Sequence, residues 1–121
     1  MAGLSGAWYT GQNASVLGAA GPGFLVYNGR ARPVDQNGGW LQLALTPPGR
    51  ISLHLFGGFQ NNSLSCAPYL PQDNRAYAAN LYFRLAPNVI LALEAARVRT
   101  DWAANSRVLQ NHYDLALAYL F

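Results

Sequence analysis

The chain has 121 residues, of which 51% are hydrophobic and 12% aromatic while only 11% are charged, less than half the roughly 25% charged share of an ordinary soluble domain. That length fits one small domain, and no apolar run reaches the ~18 residues that a membrane-crossing helix needs. The net charge of +3 comes from scattered arginines without a single lysine, which argues against a nucleic-acid surface, where basic residues gather on one face.

Residues 4–10 open the chain with Leu4, Gly6 and Trp8 on one face of an expected short strand, weakened by Gly6. Met1 to Gly6 shows neither the basic start nor the apolar stretch of a signal peptide. Residues 11–38 are rich in Gly, Asn, Ala and Pro and are expected as one long loop, within which only Phe24-Leu25-Val26-Tyr27 can pair locally. Loops of that length inside a small domain are uncommon unless they serve a function.

From residue 39 the periodicity sharpens. Leu41, Leu43 and Leu45 alternate with Trp40, Gln42 and Ala44, predicting a strand over 39–46. Thr46-Pro47-Pro48-Gly49-Arg50 must turn, because neither proline donates to a ladder. Ile51, Leu53 and Leu55 then face away from Ser52, His54 and Phe56 in a strand over 50–59, completing a hairpin. Residues 60–74, with Asn61-Asn62-Ser63, Pro68, Pro71 and Asp73-Asn74, read as a polar loop that holds the lone Cys66. One cysteine excludes an intramolecular disulfide.

A strand over 75–85 follows, with Tyr77, Ala79, Leu81 and Phe83 against Ala78, Asn80, Tyr82 and Arg84, and Ala86-Pro87-Asn88 turns it back. Residues 89–100 carry a conflict: Ala, Leu, Glu and Arg favour helix, yet Val89, Leu91, Leu93 and Ala95 share a face that excludes Glu94. Strand is the expected outcome, because the flanking strands need an antiparallel partner and tertiary context overrides propensity. A turn centred on residues 86–88 would set Asn80 opposite Glu94 and Tyr82 opposite Ala92. Residues 100–106 form a short loop, and 107–121 the last strand.

That last strand carries Tyr113, Leu115, Leu117, Tyr119 and Phe121 on one face and His112, Asp114, Ala116, Ala118 and Leu120 on the other. A terminal Phe, an aromatic two residues earlier and alternating apolar residues before it resemble the closing strand of bacterial outer-membrane, porin-like β-barrels. The resemblance implies an all-β fold, an antiparallel up-and-down meander of five or six strands forming part of a transmembrane barrel. It implies outer-membrane lipid around the wall and recognition of the C-terminal strand by the barrel-assembly machinery, with small hydrophilic solutes diffusing through the lumen. For residues 12–23 it implies a loop outside the cell or folded into the lumen. Short turns at 47–49 and 86–88 and longer connections elsewhere fit the two rims of such a barrel, and the parity places both short turns beside Phe121. Six strands are fewer than the eight with which such barrels begin, so the remaining wall is expected from missing N-terminal strands or from other protomers.

On the barrel reading, Gln42, His54, Asn80, Tyr82, Arg84, Glu94, His112 and Asp114 face the lumen, while Trp8, Tyr77, Phe83, Tyr113, Tyr119 and Phe121 supply interfacial girdles. Two other readings stay open: a half-buried sheet with its polar face in solvent, or a soluble antiparallel barrel that binds a small apolar ligand and uses the aromatics as its core. A structural membrane anchor and a barrel-embedded lipid hydrolase are further alternatives. No paired-cysteine or His-Glu-x-x-His motif suggests a metal or other cofactor, and no Gly-x-Ser-x-Gly elbow suggests a hydrolase. No enzymatic activity is therefore expected.

Overall fold

The computed structural model describes residues 1–14, 23–63, 70–104 and 106–121. Among these residues eight strands run in chain order: β1 (Ala2–Gln12), β2 (Phe24–Tyr27), β3 (Arg30–Pro33), β4 (Asp35–Leu45), β5 (Ile51–Ser63), β6 (Pro71–Ala86), β7 (Val89–Trp102) and β8 (Arg107–Tyr119). Six of them form one antiparallel sheet in the order β1-β4-β5-β6-β7-β8, and β2 and β3 form a separate hairpin. The expected all-β meander is present. The large sheet is not closed, and β1 and β8 are its two edges.

The strands are longer than the sequence pattern suggests, and the expected loops shrink to match. Residues 11–38 are not one loop: β1 continues to Gln12, β4 begins at Asp35, and the two pair along their whole length. The hairpin between them turns at Asn28-Gly29, where both residues have positive φ (50° and 72°), the geometry for which Asn-Gly is favoured. Likewise β5 runs through Asn61 and Asn62 to Ser63, β6 starts at Pro71, and β7 reaches Trp102. These polar ends are strand because each has a neighbour to complete its ladder: Gln36 lies opposite Asn62, Asn61 opposite Asp73 and Asn74 opposite Thr100. Cys66 and most of the 12–23 stretch lie outside the described residues.

The β6–β7 register is the expected one, with Asn80 opposite Glu94 and Tyr82 opposite Ala92, and residues 89–100 are strand. β8 stops at Tyr119. Leu120 donates its backbone N–H to the Asn88 carbonyl oxygen at 2.8 Å, while Phe121 lies beyond the ladder, fully exposed, its ring 5.3 Å from that of Tyr119. Both chain ends and both short turns share one rim: Met1 and Thr46 exchange backbone hydrogen bonds beside the Pro47-Pro48 turn, as Leu120 does beside Pro87-Asn88.

No hydrophobic core lies under this sheet among the described residues. Among the described residues the only buried apolar side chains are Ala14 and Val34. Instead the sheet has two contrasting faces, each continuous across all six strands by register. One carries Leu4, Leu43, Leu55, Leu81, Leu93 and Leu115; the other carries Gln42, His54, Asn80, Glu94 and Asp114. Leu55, Phe59, Tyr77, Leu93 and Ala95 on the leucine face are exposed, whereas their neighbours His54, Phe56, Ala76, Ala78, Glu94 and Ala96 on the polar face are half-buried. Over the middle of β5 to β7, therefore, the polar face is the more sheltered of the two, the reverse of a half-buried sheet that hides its apolar side from water.

Candidate functional site: the polar face of the sheet

All eight residues expected to share a polar surface do fall on one face, but they separate into groups. The centre is a transverse row in which Ala44, His54, Asn80, Glu94 and Asp114 lie directly opposite one another on β4 to β8. Such a row arises because antiparallel register keeps one parity on one face. Gln42 Nε2 lies 3.2 Å from His54 Nδ1, and the His54 ring meets Tyr82 edge to face at 5.1 Å. At the free edge, His112 Nε2 lies 2.6 Å from Asp114 Oδ2.

Beside this row the strands carry alanines, so the surface sinks into a trough of about 440 Å³ walled by Asn80, Tyr82, Glu94 and Asp114 over Ala92, Ala116 and Ala118. Arg84 is not part of it. It stands nearer the short-turn rim, with Arg50 and Tyr82 around a second hollow, and among the described residues it forms no ion pair with Glu94. The centre of the polar face is therefore acidic and its rim is basic.

Several residues extend the face beyond the expected set. Toward the long connections, Gln36, Gln60 and Asn62 are buried, with the amides of Gln36 and Gln60 both donating to Asn62 Oδ1 at 3.1 and 2.9 Å. Asn62 Nδ2 in turn donates to the Pro71 carbonyl oxygen at 3.0 Å, and Thr100 Oγ1 donates to Asn74 Oδ1 at 2.9 Å. Their composition reads as loop, and only their even parity with Gln42 and His54 marks them as members of the same face.

The leucine face is bounded in turn. Trp8, Phe59, Tyr77 and Tyr113 stand on its long-connection side, and Phe83 and Tyr119 on its short-turn side. Tyr77 and Phe83 on β6 are as far apart along their strand as Tyr113 and Tyr119 on β8. By register both aromatic lines step two residues toward the short-turn rim in passing from β6 to β8. From β6 to β8 the apolar band thus keeps the same width while slanting across the strands. Beyond its long-connection boundary come ion pairs, Arg75 with Asp73 and both Arg99 and Arg107 with Asp101. The two guanidinium groups, Arg99 foremost, push the Asp101 carboxyl down to about 2.

Among the described residues no helix is long and apolar enough to cross a membrane, a fact that does not bear on strands. The chain matches no family model, no curated protein and no solved structure.

Proposed function

We propose that this chain is part of the wall of an outer-membrane, porin-like β-barrel through which small hydrophilic solutes diffuse passively. The observation that carries the reading is the inverted exposure over β5 to β7, where Leu55, Phe59, Tyr77 and Leu93 are exposed while His54, Asn80 and Glu94 on the other face are half-buried. An uncovered apolar face of this extent is unfavourable in water and favourable against hydrocarbon. The constant width and slant of the apolar band from β6 to β8 support it further, since strands of a membrane barrel tilt by roughly 35–45° while the bilayer stays level. Tyr113, Leu115, Leu117 and Tyr119 on β8, with Phe121 just beyond it, then serve as the signal that the assembly machinery reads. The polar row from His54 to Asp114, with Gln42 beside it, lines the lumen, where its charges act on passing solutes without covalent chemistry.

The chain refolded into lipid vesicles should release entrapped sugars and give conductance steps in a planar bilayer. A chain that stays in buffer as a soluble monomer without detergent sinks the proposal in favour of a soluble barrel, and one that associates in lipid into closed assemblies without conducting sinks it in favour of a structural anchor.

A further inference from the structure

We infer that Glu94, His112 and Asp114 form a binding site for a divalent transition-metal cation, a conclusion that rests on the β7–β8 register and not on membrane insertion. One ligand atom from each residue, an imidazole nitrogen and two carboxylate oxygens, lies within 4.8 Å of the others. Cis ligands around a metal at about 2.1 Å stand about 3 Å apart, so small side-chain rotations bring the three donors onto one ion. The strands fix their backbones: Glu94 is directly opposite Asp114, and His112 is two residues along the same face of β8.

A comparison within the molecule shows what this pair of acids lacks. Carboxylates directly opposite each other in an antiparallel sheet repel, and the chain contains the arrangement twice. At Asp73 and Asp101 the repulsion is relieved by Arg75, Arg99 and Arg107. At Glu94 and Asp114 no arginine takes that place among the described residues, and the only ionic partner is the imidazole of His112. Arg97 and Arg99, although on β7, project from the opposite face. Beyond His112, then, no cationic side chain among the described residues balances the pair, and a divalent cation bound there would do so.

The donor set selects the ion. One imidazole nitrogen with two carboxylate oxygens suits Zn²⁺, Mn²⁺ or Co²⁺, whereas Ca²⁺ and Mg²⁺ favour oxygen throughout. His112 and Asp114 are exposed, and the alanine-floored trough beside them leaves room for water to complete the coordination shell.

The test is calorimetric titration of the refolded full chain with Zn²⁺ at pH 7.5, in a Cys66→Ser background so that the lone thiol does not compete. One saturable site is expected, and Glu94→Gln, Asp114→Asn and His112→Ala should each weaken it by at least about tenfold. Asp73→Asn, in the arginine-balanced pair, should leave it unchanged. Co²⁺ should give a d–d absorption spectrum that His112→Ala abolishes, a readout that stands even if a carboxylate variant fails to fold. Absence of saturable binding overturns the inference. So does binding that survives all three substitutions, or binding of Ca²⁺ as tight as Zn²⁺ and indifferent to His112→Ala. None of these outcomes depends on whether the chain conducts solutes, so each reading can fail separately.

Discussion

At Gly38 the close approach of a neighbouring side chain decides which residue the strand tolerates. Tyr9, directly opposite on β1, lays its ring over the glycine, and a Cβ added there would fall 2.5 Å from Tyr9 Oη and 2.7 Å from the Phe59 carbonyl oxygen. The tyrosine covers the backbone that glycine leaves bare, a cross-strand compensation that also pins register. Gly38→Ala should therefore lower stability by about 1–3 kcal/mol through overpacking, read as a shift of the urea unfolding midpoint; an unchanged midpoint would mean that Tyr9 moves aside freely. At Asn62 the logic is satisfaction instead of space. Asn62→Leu removes the oxygen to which both the Gln36 and Gln60 amides donate, in a cluster where Gln36 is only 2% exposed. A cost of about 1–3 kcal/mol is expected for burying those donors without that acceptor, and a stabilising result in the same assay would contradict it.

At the scale of the strand, the two faces should respond oppositely to the same charge. Leu93→Arg places a guanidinium in the middle of the leucine face and should cost about 2–4 kcal/mol if that face meets lipid, measured by equilibrium refolding into vesicles. Ala116→Arg, on the polar face of β8, should refold almost normally. Equal sensitivity at the two positions would remove the distinction between an outer and an inner face. The loop-side end of β7, beyond the aromatic boundary, supplies a pH signature. Asp101 has its carboxyl depressed from 3.8 to about 2 by Arg99 and Arg107, so its stabilisation is fully present above pH 4 and is lost as pH falls toward 2. Asp101→Asn should flatten acid unfolding over that interval. Much of this scale was legible beforehand. The alternation from Leu41 to Leu45 and from Tyr77 to Phe83 sets the faces, and the Pro87-Asn88 turn sets the Asn80–Glu94 register. What escaped was how far each strand continues: Gln36, Asn61 and Asn62 read as loop because composition reports only a residue's own preference, whereas a ladder is completed by the neighbouring strand. The Asn28-Gly29 dipeptide carried the hairpin signal, hidden inside a stretch whose composition is loop-like throughout. The Glu94, His112 and Asp114 cluster was hidden for a related reason, since motif spacing within one segment does not register ligands on adjacent strands.

The whole molecule is governed by its two free edges. Edge strands present unpaired N–H and C=O groups, each costing several kcal/mol in hydrocarbon, so a membrane sheet must close on itself or on further strands. Six alternating strands leave β1 and β8 antiparallel to each other. The β8 edge of one copy can therefore continue onto the β1 edge of another with the leucine faces still outward, just as additional strands of the same polypeptide could. For the 121-residue chain refolded alone, this geometry ties conduction to association. Sedimentation in detergent should give a protein mass that is a whole multiple, at least two, of the 13.1 kDa chain, and conductance should appear only in the fractions holding that assembly. The acidic centre of the polar face should make those channels cation-preferring, with Glu94→Gln and Asp114→Asn each moving the reversal potential in a salt gradient toward anions. A monomer that conducts would refute the closure argument, because an open sheet of six strands has no way to satisfy both edges in lipid.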